Sequence, residues 1–272
     1  YMSSHRDAYK FLHDQSVRLM NLGYTEMEIA EQIELPPSLA RQWFNRGYYG
    51  TMSHNSKAVY QRYMGWYDGN PANLNPLPPE EAGSRYVEAM GGADAALSNA
   101  QSAYEEGDYR WAAQLASHIV FDDASNMSAR ELLAAAFEQM GYQAEGMLWR
   151  NMYLTGAQEV ITPPPASAAI TMSGDFLAAT PSADLFDILA AKIDPARSGE
   201  RALTVRFVFN DRDESHLLSL RNSVLVHETG VDDASDVTLT MPRSAFMAVL
   251  FAGQPAGPLV DQGTIAIDGD VE

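Results

Sequence analysis

Residues 160–169 read VITPPPASAA, and this run divides the chain into two parts with different grammars. Three consecutive prolines, Pro163 to Pro165, supply no backbone N–H and clash with helix and interior strand alike, so an extended, semi-rigid spacer is expected there. Before the spacer, apolar residues recur at spacings of three and four; after it, alternation with period two enters. The expected architecture is multi-domain: an all-α unit over 1–159, a Pro-rich linker over 160–169 and an α+β unit over 170–272. With 272 residues, 46% of them hydrophobic, each part can bury a core of its own.

Charge narrows the function. The formal net charge is −18, with eleven basic against twenty acidic residues up to position 160 and seven against sixteen beyond it. The acidity is spread rather than confined to a tail. It excludes nucleic acid as a partner, because phosphate recognition draws on Lys and Arg clusters that are missing. Free anions are repelled at long range, so any anion site has to be local. Cysteine is absent, which excludes disulfides and thiolate metal sites and leaves the compartment open. No run of about 18 apolar residues occurs, so no membrane span is expected. The chain opens on a helical pattern at Tyr1 without a leader and closes just after the strand-like TIAI, as a cut or clipped polypeptide would.

Along the first part, a helix is expected over 5–22, carrying His5 and His13 in structural roles. Thr25 and Glu28 have capping-box spacing for a short second helix, and Pro36-Pro37 starts another over 38–44. On paper this resembles a helix-turn-helix, but its second helix offers only Arg41 to a phosphate. From Pro79 onward helical hairpins are expected at 79–90, 93–106, 109–121, 126–140 and 143–155. Gly107 and Gly141, 34 residues apart, mark two similar breaks, and the alanines and tyrosines around the first suggest tetratricopeptide-like packing. Dimerisation is the natural role for such hairpins, with peptide recognition second.

The stretch with the most chemistry is RGYYGTMSHNSKAVYQRYMGWYDGNP, 46–71. Gly47 and Gly50 bracket a turn carrying Tyr48 and Tyr49, and Thr51 or Ser53 can cap the helix that follows. That helix reads through Val59, Tyr60, Tyr63, Met64 and Tyr67 and stops at 68–71. His54, Asn55 and Lys57 therefore crowd a first turn, where free N–H groups and the positive dipole end favour an anion. Tyr49 and Arg46 are further donors. The same residues also read as an ordinary cap above an aromatic core. Nothing marks a nucleophile on a strained turn, and a lone histidine is not a metal site. The loop PANLNPLPP that follows is either a wall of the neighbouring site or a long connection.

Residues 47–81, GYYGTMSHNSKAVYQRYMGWYDGNPANLNPLPPEE, together with DAYKFLHDQSVRLMNLGYTEMEIAEQI upstream, resemble the dimerisation domain of zinc-dependent alkylsulfatases of the metallo-β-lactamase superfamily. The resemblance runs from about Asp7 to about Thr155. It implies hydrolysis of alkyl sulfates such as dodecyl sulfate, a homodimer, and an N-terminal metallo-β-lactamase domain with two zinc ions. It also implies that His54 reaches the sulfate as proton donor or ligand, with Tyr49, Asn55 and Lys57 as sulfate contacts. The resemblance leaves the compartment open and favours a periplasmic or secreted parent over a cytoplasmic one. This chain has no H-x-H-x-D-H zinc word and no His or Glu cluster with ligand spacing, so it is expected to bind no metal and to be inactive by itself.

In the second part, a helix is expected over 183–193, strands over 202–209, 216–220, 223–228 and 237–240, a helix over 244–251 and a last strand over 264–267. The words ADLFDILAAKID, LTMPRSAFMAVLFAG and TIAIDGD resemble sterol carrier protein type 2. That resemblance implies an apolar tunnel in which Phe207, Phe246 and Leu250 hold an alkyl chain; the same residues also read as an ordinary core. His216 and His227 receive no role. Two functions remain: the dimerisation and alkyl-chain-binding part of an alkylsulfatase, or a non-catalytic module that binds lipid or acyl chains and proteins.

Overall fold

The computed structural model describes residues 1–164 and 173–269. The chain divides into two compact units, Tyr1–Ala166 and Ser167–Glu272. Half of the expected spacer, residues 165–169, falls outside the described residues. Among the described residues no helix is long and apolar enough to cross a membrane.

The first unit is all helical. Its helices are α1 (Met2–Asn21), α2 (Glu26–Gln32), α3 (Pro37–Ala40), α4 (Met52–Met64), α5 (Pro79–Ala89), α6 (Ala93–Glu105), α7 (Tyr109–Asp122), α8 (Met127–Gln143) and α9 (Met147–Ile161). The starts follow local chemistry. At α2 the Thr25 N–H donates to Glu28 Oε2 at 2.8 Å while the Thr25 hydroxyl accepts from the Glu28 N–H, the reciprocal box expected from the spacing. The Thr25 N–H and hydroxyl, both donating to Glu28 Oε2, hold the Glu28 carboxyl below its ordinary range. Thr51, Asp108 and Asn126 cap α4, α7 and α8 in the same sense.

Several boundaries differ from expectation for identifiable reasons. The segment expected as one helix over 38–44 is α3 followed by a short 3₁₀ turn, Trp43–Asn45, because Gln42 is extended. α4 starts at Met52 behind Thr51, one of its two expected caps, but stops at Gly65, whose φ of 77° ends the helix ahead of Asp68. Asn70 caps a single 3₁₀ turn, Pro71–Asn73, inside the proline-rich loop. α9 runs to Ile161, into the expected linker, and stops before the prolines.

Packing is set by small residues. Leu19, Ile29 and Tyr60 join α1, α2 and α4, while Ala100, Ala112, Ala116 and Ala136 sit fully buried between α6, α7 and α8. Alanine lets helix axes approach closely. Gly141 is not the expected break: it lies within α8, where a Cβ would meet Leu154 Cδ2 at 2.8 Å. It marks a close crossing with α9, whereas Gly107, with φ of 84°, does end its helix. Gly83 plays the corresponding part between α5 and α7, where a Cβ would lie 2.8 Å from the His118 carbonyl oxygen and 2.9 Å from Phe121 Cβ.

The second unit is α+β: α10 (Gly174–Ala179), α11 (Ser182–Ala190), α12 (Pro195–Ser198), β1 (Leu203–Phe209), β2 (Glu214–Arg221), β3 (Val224–Thr229), β4 (Val237–Met241), α13 (Arg243–Leu250), α14 (Gly257–Asp261) and β5 (Ala266–Gly269). α10, α12 and α14 are too short for periodicity to announce. The sheet order is β3-β2-β1-β4-β5. It is mixed rather than a simple meander, since β4 runs parallel to β1 and the other pairings are antiparallel. Asn222 and Ser223, both with positive φ, make the tight β2–β3 turn. The connection from β3 then crosses to the far side of β1. Arg206 on β1 holds it by donating to the carbonyls of Val231, at 2.7 Å, and Asp233, and Thr204 donates from both its N–H and its hydroxyl to Asp236 Oδ2 at 2.7 Å.

One sheet face carries the core. Phe186 of α11 lies parallel to Phe209 at 6.2 Å and edge-on to Phe246 at 5.3 Å, and Phe207 meets Phe246 at 5.5 Å. His216 is buried beside them, bonded to Thr229 Oγ1 at 3.0 Å, and His227 faces Asp187 at 3.0 Å, so both are structural members of this packing. Buried Arg243 donates to the carbonyls of Ala178, Leu177 and Thr180 and to the Ser182 hydroxyl, which itself donates to Glu214 Oε2 at 2.6 Å.

Gly83→Ala is expected to destabilise the helical unit by about 1–3 kcal/mol, since the nearest obstacle is backbone; thermal unfolding measures it. Arg243→Met removes the side-chain donor from the carbonyls of Leu177, Ala178 and Thr180, of which Leu177 keeps the Thr180 N–H, and is expected to cost on the order of 2–3 kcal/mol, read from the denaturant midpoint.

Candidate functional site

The turn between Gly47 and Gly50 is held from a distance. Gly146, at the start of α9, is buried so close to it that a Cβ would lie 3.0 Å from the Gly47 carbonyl oxygen. The Met147 N–H donates to the Tyr48 carbonyl at 2.7 Å. On one side of that bond Arg46 Nε donates to Glu145 Oε1 at 2.6 Å, and this carboxylate raises the guanidinium further. On the other side Trp149 Nε1–H donates to His54 Nδ1 at 2.8 Å. Three alternate residues of one short segment thus hold the turn and the first turn of α4.

His54 is exposed, and its own N–H is taken by the Thr51 hydroxyl at 3.0 Å. Indole nitrogen can only donate, so Nδ1 is the acceptor and the imidazole proton resides on Nε2. Among the described residues no group bonds Nε2. The ring therefore presents one N–H donor outward.

The remaining predicted residues fall into two groups. Tyr49 and Asn55 line a cleft of about 610 Å³ with Arg46, Glu145, Trp43 and Phe44. Tyr49 is 73% exposed and Asn55 half-buried, its amide against Gly50. Lys57 lies on the other side of α4 and lines a second cleft of about 620 Å³ with Trp149, Tyr153, Arg110, Glu31 and His118. Its ammonium stands 5.5 Å over the indole of Trp149, so Lys57 and His54 share that residue. Arg110 pairs with Glu31 at 3.0 Å, which lowers the Glu31 carboxyl, while burial pushes the His118 imidazole down and the Tyr153 phenol up. Phe207 and Phe246 are in ring contact within the α+β core; Leu250, 40% exposed, stands outside it. His5 stacks on Phe44 and His13 bonds Tyr63, both surface packing of α1.

Sequence reasoning missed Glu145, Trp149, Arg110 and Glu31. No local pattern marks them, because Trp149 and His54 are 95 residues apart and Glu145 and Arg46 are 99 apart. Among the described residues no group of three or more His, Asp or Glu is placed to hold a metal ion. The side chains present do not fit the zinc centre that the resemblance implies.

Comparison with known proteins defines the class. The family model of alkyl sulfatase dimerisation matches residues 25–162, and that of the alkyl sulfatase C-terminal domain matches residues 170–272. The chain belongs to the alkyl sulfatase family. An (R)-specific secondary-alkylsulfatase of Pseudomonas sp. is 45% identical over an alignment of 272 positions that covers 99% of this chain and 41% of that protein. The alkyl/aryl-sulfatase BDS1 of Saccharomyces cerevisiae is 44% identical, covering 92% of this chain and 38% of its own length. The solved structure of the stereoselective inverting sec-alkylsulfatase Pisa1 from Pseudomonas sp. superposes with a TM-score of 0.91 at 44% identity, over 99% of this chain and 43% of that one. The chain thus spans about two fifths of the length of these relatives.

Gly146→Ala is expected to displace the 47–50 turn and destabilise the helical unit by about 1–3 kcal/mol. Faster amide exchange at Met147, whose N–H loses its carbonyl partner, is the measurement that reports it.

Proposed function

We propose that this chain is the dimerisation and alkyl-chain-binding part of an alkylsulfatase that hydrolyses alkyl sulfate esters of the dodecyl sulfate type, and that His54 contacts the sulfate. One observation carries the reading: the Trp149 bond to His54 Nδ1 leaves Nε2–H as an exposed donor at a helix start. Such a donor binds a sulfate oxygen and stabilises charge that develops on the ester oxygen as the bond breaks. Lys57 adds a positive charge on the same side, and Asn55 and Tyr49 supply polar contacts on the other. In this protein of net charge −18 the attraction is necessarily short-ranged.

In this reading the stacked helices α5 to α9, tetratricopeptide-like, support a homodimer. The α+β unit is sterol-carrier-like, with Phe207, Phe246 and Leu250 taking the aliphatic chain. The two zinc ions belong to a separate metallo-β-lactamase domain, and no residue of this chain is assigned to them. A module that binds lipid without catalysis is the alternative, and the full-length protein carrying this chain separates the two by its hydrolysis of dodecyl sulfate. His54→Ala in that protein is expected to lower turnover by about 10²–10³-fold with zinc content unchanged, as loss of one charge-stabilising donor requires. Retained turnover would remove His54 from the reaction, and lost zinc would give it a different role.

A further inference from the structure

We propose that Trp149 is a positioning residue for His54: its indole N–H holds the imidazole in the Nε2–H tautomer and aims that proton outward. The inference rests on the reading that His54 contacts a sulfate ester, and it adds the residue that prepares the histidine for that contact.

A neutral imidazole can carry its proton on either nitrogen, and the partner of one nitrogen decides which. An exposed histidine in the first turn of a helix has no such partner by default. Here Trp149 supplies one, at 2.8 Å, with the two rings edge to face at 6.0 Å and 73°. The indole is fixed in turn. Tyr153, one turn on, meets it edge to face at 6.3 Å and 82°, and the Lys57 ammonium lies 5.5 Å over its face. A cation over the ring draws electron density from it and makes the N–H a better donor. The backbone beneath is anchored as well, since the Met147 N–H bonds the Tyr48 carbonyl six residues before His54. Donor and acceptor are thus held in one frame, and Lys57 serves that frame in addition to its charge.

A merely structural Trp149 would fill space beside His54 without setting its protonation pattern. In the full-length protein carrying this chain, Trp149→Phe and replacement of Trp149 by 3-benzothienylalanine separate the two roles. The second keeps the bicyclic shape and deletes only the N–H, so it remains informative where the smaller ring unfolds the cleft. Both are expected to lower kcat for dodecyl sulfate about tenfold while KM stays within about twofold, as loss of one positioning hydrogen bond requires. The ¹⁵N resonances of His54 are expected to move from a single Nε2–H tautomer to a mixture. An unchanged His54 spectrum in the benzothienyl variant overturns the proposal, as does a rise in KM with kcat intact. Should His54→Ala leave turnover unaltered, the sulfate reading fails, and the ¹⁵N measurement alone then decides whether Trp149 sets the tautomer.

Discussion

The helical unit depends on one short-range clasp across a long sequence separation. Met147 N–H to the Tyr48 carbonyl, at 2.7 Å, brings the start of α9 against the turn that precedes α4. Closing so long a loop is entropically unfavourable, though the cost grows only slowly with length. The contact is accordingly reinforced on both sides, by Arg46 with Glu145 and by Trp149 with His54. Glycine at 146 is what permits the approach, because a side chain there would strike the Gly47 carbonyl. Arg110 and Glu31 add a second link between the α1–α4 group and the later helices, at an exposed position where an ion pair contributes little stability and mainly orients its partners.

The α+β unit solves a different problem. Its β3–β4 connection has to cross the sheet to place β4 beside β1, and only seven residues separate the two strands. Arg206, Thr204 and Asp236 bond that connection to β1. The hydrogen bonds hold the Asp236 carboxyl below its usual range. On the covered face, Phe186, Phe207, Phe209 and Phe246 fill the space with one another's rings, and Arg243 satisfies the carbonyls at the α10–α11 corner. An aliphatic chain that entered would have to take the place of packed aromatic contacts.

Much of this was readable from residues alone, wherever the cause was local. Thr25 with Glu28, the helical spacing in α5 to α7 and the alternation in β1 are all decided within about one turn or one strand, and they came out as expected. The errors share the opposite character. Gly141 has the look of a helix break, yet its absent Cβ serves a neighbour, Leu154, thirteen residues away in another helix. The parallel pairing of β1 with β4 is a tertiary fact that neither strand encodes. At the candidate site, His54, Asn55 and Lys57 were identifiable from a helix start. The separation of Asn55 and Lys57 into two clefts follows from the roughly 200° of helix rotation between them, and the tautomer of His54 follows from Trp149, which no spacing rule connects to it.

The 95-residue interval between His54 and Trp149 has a temporal side. On a ribosome adding about 5–20 residues each second, the imidazole is synthesised roughly 5–20 s before its indole partner exists. Throughout that window α4 can fold on its own cap while its histidine samples both proton placements. The ring becomes committed only when α9 is made and docks, so the chemistry of the earlier segment is finished last.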